Sequence, residues 1–224
     1  MTDTALAAAH WDLEPLVDGK GSAGVTELLG AARDRAEAFA AAHRGHVAEL
    51  DAPGLAAAMQ ELQEIADASG RAGSYAMLSF AVDTQAPATG ALLQQARELG
   101  AAIETELLFF ELEWNQVPDE QAERLLADPA LAFCAHHLRN QRRYLPHQLS
   151  EPEERILTET GVTGRSAFTR LFTEQVSSLS VQLPDVDEPV QLEVALSRLQ
   201  DPARERREQA ARAISDGLRV DLRS

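Results

Sequence analysis

Apolar residues recur along this chain at helical spacing, and the longest such run lies between Ala88 and Trp114. There Leu92, Ala96, Leu99, Ile103, Leu107, Phe110 and Trp114 follow one another at steps of four or three, which sets them on one stripe of a long helix. Leu93, Leu108, Phe109 and Leu112 widen the stripe toward its end, so that half is expected to be buried on more than one side. Two earlier segments share the period. Val25, Leu29, Ala32, Ala36, Phe39, His43, Val47 and Leu50 predict a helix over 25–50. Leu55, Met59, Leu62 and Ala66 open a second over 55–82, which Ala72, Ala76 and Phe80 continue after a drift at Ser69, Gly70 and Gly73. Asp51 is placed to cap it, with Pro53 in its first turn. Three long amphipathic helices joined by short turns fold most simply as an up-down antiparallel bundle, and their abundant Ala permits close approach.

Around this frame the pattern is shorter. The segment HWDLEPLVDGKGSAG carries a Pro and three Gly, so residues 1–24 read as an irregular arm anchored by Trp11, Leu13 and Leu16. After Trp114 a short helix with an acidic first turn stops near Asp128 and Pro129, and another follows over 135–144. Ser150 and Glu153 have the spacing of a capping box, with Ile156 and Leu157 beginning the buried face of the helix they start. Phe168, Leu171, Phe172 and Val176 suit one more helix. The period then changes to two at Leu179, Val181 and Leu183, and the turn PDVDEP leads to VQLEV, a hairpin. Asp201 and Pro202 begin a last helix bearing Ala210, Ile214 and Leu218. The fold class is therefore mainly α: an up-down bundle of long helices followed by shorter helices, with one small β-hairpin near residues 178–194. Residues 1–115 form the arm and bundle, and 116–224 the shorter helices and hairpin.

Composition narrows the partners. Apolar residues make up 45% and aromatics only 5%, because Ala and Leu dominate, and that favours helices. The 20 basic and 36 acidic side chains leave a formal charge of −16, which repels phosphate backbones and argues against nucleic acid or an anionic membrane as partner. Neither a secretory leader pattern nor a long apolar run is evident, so a cytoplasmic location is expected. A single cysteine, Cys134, excludes an intramolecular disulfide and reads as a small buried hydrophobe.

Candidate chemistry is thin. His43, His46 and Glu49 fall at steps of three on a predicted helix and could offer one face to a metal, but His43 also belongs to the apolar stripe and a closed site needs partners from elsewhere. Adjacent His136 and His137 point to different sides of their helix. Glu151, Glu153 and Glu154 suit a helix N-terminus better than acid and base catalysis. Arg139, Arg142 and Arg143 beside Tyr144, and Arg204, Arg206 and Arg207, read as solvated faces or salt bridges to the many carboxylates rather than anion sites. Ser166 lacks a glycine-flanked nucleophile elbow. No residue is assigned a catalytic or metal role, and none is assigned to substrate.

Several pieces in order carry a resemblance: WDLEPL, SYAMLSFAVDTQ, LLFFELEW, HQLSEPEERIL, SAFTRLFTEQVSSLSV and LSRLQDPARERREQAARAI. Together they resemble the N-terminal lobe of oligoendopeptidase F-type zinc metallopeptidases of the thimet oligopeptidase-like family. The resemblance implies a zinc endopeptidase acting on short peptides, with zinc held by two His of an HExxH helix and a downstream Glu. Of His10, His43, His46, His136, His137 and His147, no pair frames a Glu in that pattern. The chain is therefore expected to be either the N-terminal portion of a longer enzyme or a shortened relative, inactive by itself. Its implied partners are the catalytic zinc domain of the same polypeptide, connected after 116–224, and short peptides. The alternative is a stand-alone helical binding or scaffold protein. The lobe reading expects an uncovered apolar patch on the last helix or hairpin, where the remainder would dock.

Overall fold

The computed structural model describes residues 11–221. Its residues group into two compact units, one of the chain to Asp83 with Pro87–Thr163, the other of Thr84–Ala86 with Gly164 onward. Helices dominate both, with one two-stranded antiparallel sheet.

In the first unit α1 (Gly21–His43), α2 (Ala52–Val82) and α3 (Pro87–Gln116) are the long helices of the bundle, and each packs on the other two. Around them lie α4 (Asp119–Leu126), α5 (Ala135–Arg142) and α6 (Glu151–Gly161). These three, placed with the second region on sequence, group with the long helices. Their core runs from Val25, Leu29 and Phe39 through Leu55, Ile65 and Phe80 to Ile103, Phe110, Trp114 and Leu138. Phe39, Phe109 and Phe110 meet as tilted or edge-on rings with centroids 5.5 to 6.4 Å apart, separations at which aromatic pairs attract beyond their area burial.

Several details correct the sequence reading. The first helix stops at His43 rather than Leu50, because Gly45 takes φ 83° and turns the chain into a 3-10 turn at Val47–Glu49. Glu113 fixes that turn, its carboxylate accepting the backbone N–H of Gly45 at 2.8 Å and of Val47 at 3.3 Å. On α2 the buried face passes through Ile65, while Ala66 is exposed, so the stripe crosses Ser69 to Ala72 without drift and the helix is unbroken. Asp51 caps it as expected, accepting the Gly54 N–H at 2.8 Å.

The N-terminal arm is anchored by Val17, not by Trp11, which is 85% exposed. Residues Glu14–Val17 form a 3-10 turn. The Glu14 carboxylate accepts the Gly21 N–H at 3.0 Å and the Tyr75 hydroxyl at 3.1 Å, and Arg71 donates to the Leu16 carbonyl at 3.0 Å. Gly24 lets the turn sit on α1, since a Cβ there would lie 2.5 Å from the Val17 carbonyl oxygen.

Trp114 and Arg142 lock the end of α3. The indole Nε1 donates to the Leu138 carbonyl at 3.0 Å. Arg142 donates to the carbonyls of Trp114 (2.8 Å) and Val117 (2.7 Å), filling the role of a C-terminal cap, and its guanidinium lies 5.6 Å from the Trp114 ring centroid.

A π-helical turn over Val162–Ser166 follows α6, and the boundary between units falls within it. The second unit contains α7 (Ala167–Ser178), β1 (Ser180–Val181), β2 (Val190–Gln191), α8 (Leu192–Ser197) and α9 (Arg204–Asp221). The strands pair Ser180 with Gln191 and Val181 with Val190, which places the hairpin as expected. Its second strand is shorter than VQLEV, because Leu192 turns the chain into α8 to bury itself and Ala195 beside Val181, Leu183, Ala210 and Ile214. Asp201 does cap the approach to α9, accepting the Ala203 N–H at 2.8 Å, which holds its carboxyl below the ordinary value.

Candidate functional site

Among the clefts on the first unit two share α3 as a wall, one facing the segment that leads into α6 and the other facing α6 itself. The larger, about 510 Å³, has an apolar floor of Phe109, Leu112 and Leu149, with Gln116, Gln148 and Glu113 around it. Its polar groups are largely committed to structure. Gln148 donates to the Leu112 carbonyl at 3.4 Å and accepts from Asn115 at 3.0 Å. The smaller cleft, about 390 Å³, lies along Glu98–Glu106 of α3 and Arg155–Thr163 beyond it. Ala101, Ala102 and Val162 make its apolar surface, and Glu98, Glu106, Glu159 and Arg155 its charged one. Arg44 reaches both groups of residues: it pairs with Glu151, donates to the Glu106 carbonyl at 3.3 Å, and stacks 4.5 Å over the Phe109 ring.

The residues weighed for chemistry from sequence do not converge here. His43 is half-buried against Phe39, ring centroids 4.5 Å apart, while exposed His46 pairs its Nδ1 with Glu49 at 3.1 Å. His136, His137 and His147 are exposed, and His10 lies outside the described residues. Glu153 completes a capping box with Ser150, donors at Ser150 holding its carboxyl below the ordinary range. Glu151 pairs with Arg44. Glu154 accepts the Leu149 N–H at 3.0 Å. Arg139 pairs with Glu123, Arg142 caps α3, Arg206 pairs with Asp201, and Arg207 donates to the carbonyls of Asp201 and Pro202. Cys134 is buried, which pushes its thiol up from the ordinary value.

Comparison with known proteins bears on the α3–α6 region itself. Residues 113–180 match the family Peptidase_M3_N, described as Oligopeptidase F. The oligopeptidase F match begins at Glu113, which clamps the turn after α1, takes in the capping box of α6, the π-helical turn and α7, and ends at Ser180, the first residue of β1. Six of the ten residues lining the larger cleft, Glu113, Gln116, Gln148, Leu149, Ser150 and Glu151, fall inside it. Among curated proteins none matches the chain significantly. A crystal structure of a candidate peptidase from Chlamydophila abortus is similar over 94% of this chain and 36% of its own, at 17% identity and a TM-score of 0.47. The chain thus spans about a third of that structure's length.

Zinc is the metal that the resemblance implies. Among the described residues no group of three or more His, Cys, Asp or Glu is placed to hold a metal ion, and the sequence carries no HExxH. No helix among the described residues is long and apolar enough to cross a membrane.

Apolar surface lies elsewhere than sequence suggested. Ile156 and Leu157, expected to begin a buried face of α6, are 59% and 57% exposed, since α3 takes the other side of that helix. In the second unit Phe168, Leu171 and Phe172 line an exposed face of α7, with Phe168 72% and Phe172 67% exposed. The uncovered face thus sits on α7 as well as on Leu218 of the last helix.

Proposed function

We propose that this chain is the N-terminal lobe of a zinc-dependent oligopeptidase of the oligoendopeptidase F type. Its helices form one wall of a channel that admits short, flexible peptides, and hydrolysis depends on residues outside these 224. The match of residues 113–180 to the Oligopeptidase F family is the observation that carries this reading. The exposed apolar side chains on α7 give the rest of the enzyme a surface to cover. The strongly acidic composition suits a protein that acts apart from nucleic acid and anionic membranes.

Zinc, held on the other part of the polypeptide, would supply the activated water. This lobe would select and hold peptide. The test pairs genetics with enzymology. The reading frame past the codon for Ser224 is expected to continue to an HExxH helix and a later Glu, and the purified chain is expected to leave a short quenched peptide intact. Chelator-sensitive cleavage by the chain alone, or a stop codon at that position with no such frame nearby, would overturn the proposal, and the stop codon would bring the stand-alone binding protein forward.

A further inference from the structure

The smaller cleft holds a mismatch of charge and a buried polar atom that the fold itself leaves unused. Among the residues that line it, three carboxylates, Glu98, Glu106 and Glu159, accompany one guanidinium, Arg155, and Arg44 reaches Glu106 from outside the cleft, so acidic groups still outnumber basic ones. Arg155 is committed to Glu159 across one helical turn at 2.9 Å. Glu98 accepts an amide hydrogen from Gln94 at 2.8 Å, and the Glu106 carboxylate lies 4.0 Å from Arg44, whose stronger partner is Glu151.

Below this rim lies Thr105, 8% exposed, whose Oγ1 makes no hydrogen bond. Most buried polar atoms find a partner, so one that lines a cleft without any is a position a ligand can complete. The wall beyond α6 is the π-helical turn at Val162 and Thr163, a backbone irregularity that recurs at functional sites. Ala101, Ala102 and Val162 supply apolar surface for an aliphatic stem.

We propose that this cleft binds a cation carried on an aliphatic stem, the side chain of arginine or lysine in a short peptide. The peptide part rests on the function proposed above. The stem lies on the two alanines and Val162, the charged head is drawn by the field of Glu98 and Glu106, which flank it along α3, and an N–H of the ligand satisfies Thr105. The lobe thereby ranks peptides by charge.

The experiment uses the 224-residue chain and three probes: agmatine, and two blocked Ala-Gly peptides that differ only in carrying arginine or its neutral isostere citrulline. Amide chemical shifts are followed at low and high salt. Agmatine and the arginine peptide are expected to perturb residues 98–106 and 155–163. The arginine peptide is expected to bind about fivefold to tenfold tighter than the citrulline peptide at low salt, the scale of an exposed ion pair or two. Replacing Glu98 and Glu106 together by Gln should erase that difference, and Thr105→Val should weaken agmatine. Equal binding of the two peptides, or shifts confined to other residues, would overturn the cation site while leaving a peptide-binding lobe standing. Agmatine seated in the cleft with neither peptide bound would uphold the site and overturn the peptide reading.

Discussion

Replacing Thr105 with valine should make the protein more stable, an unusual sign for a change in the middle of a long helix. A threonine inside a helix commonly donates to the carbonyl four residues back, yet the Thr105 hydroxyl has no partner, and the residue is buried on α3. A buried hydroxyl without a hydrogen bond costs ~1 to 3 kcal/mol relative to an apolar group of the same shape. Valine matches threonine in volume and branching, and the two have nearly equal helix propensity, so little opposes that term. The expected gain is about 1 kcal/mol. Urea unfolding followed by far-ultraviolet circular dichroism would show it as a higher midpoint at unchanged slope. Thr105→Ala serves as the control, because it removes the same hydroxyl but also a buried methyl and should lose the gain. A valine variant less stable by about 1 kcal/mol would refute the reasoning. It would mean that the hydroxyl is paired in solution, and the cleft would lose its vacant hydrogen-bonding position with it.

Two further outcomes follow from hydrogen bonds already described. Arg142→Met keeps the aliphatic stem but strips the donors from the Trp114 and Val117 carbonyls at a side chain only 12% exposed, and should lower unfolding free energy by ~1.5 to 3 kcal/mol in the same urea assay; an unchanged midpoint would show that water caps α3 equally well. The Glu153 carboxyl titrates below its unfolded value because Ser150 donates to it. Its stabilisation is therefore full above the unfolded pKa of ~4.3 and is lost as pH falls through the lowered value. Glu153→Gln should be less stable than the natural chain at pH 7 and should converge with it in acid, and parallel stability curves from pH 7 to 3 would refute the assignment.

Local chemistry was the most legible part of the sequence. Asp51 and the pair Ser150 with Glu153 each announce a helix start through their own spacing and make the bond expected of them, while Asp201 holds the Ala203 N–H in the turn before a helix that begins two residues later than Pro202 suggests, at Arg204. The hairpin was legible for the same reason, since the change of period at Leu179 and the turn PDVDEP are both local. Burial was harder, because it depends on what arrives from elsewhere. Ile65 and Ala66 are both apolar neighbours on α2, and only the packing of the bundle selects Ile65 for the core. Ile156 and Leu157 look like a core face, but they stay exposed among the described residues. Trp11 is the largest side chain of its segment and stays exposed, while Val17 does the anchoring. The clefts were not legible at all. They arise where residues 98–106 of α3 meet residues 155–163, and where residues 109–116 meet residues 148–151, and no spacing in the sequence marks either pair. The available hints were Thr105 and Asn115, polar residues on the buried side of α3.

Gly24 has a consequence for how freely this sequence can vary. Most core positions tolerate exchange among apolar side chains of similar volume, because neighbours repack around the newcomer. At Gly24 the obstacle is the backbone oxygen of Val17, and a peptide carbonyl cannot swing aside as a side chain does. Even alanine, otherwise the mildest replacement on a helix, would push the turn that carries Val17 out of its seat. In a saturating library selected for folded protein, the neighbouring stripe positions Val25 and Leu29 should return several residue types and position 24 a single one.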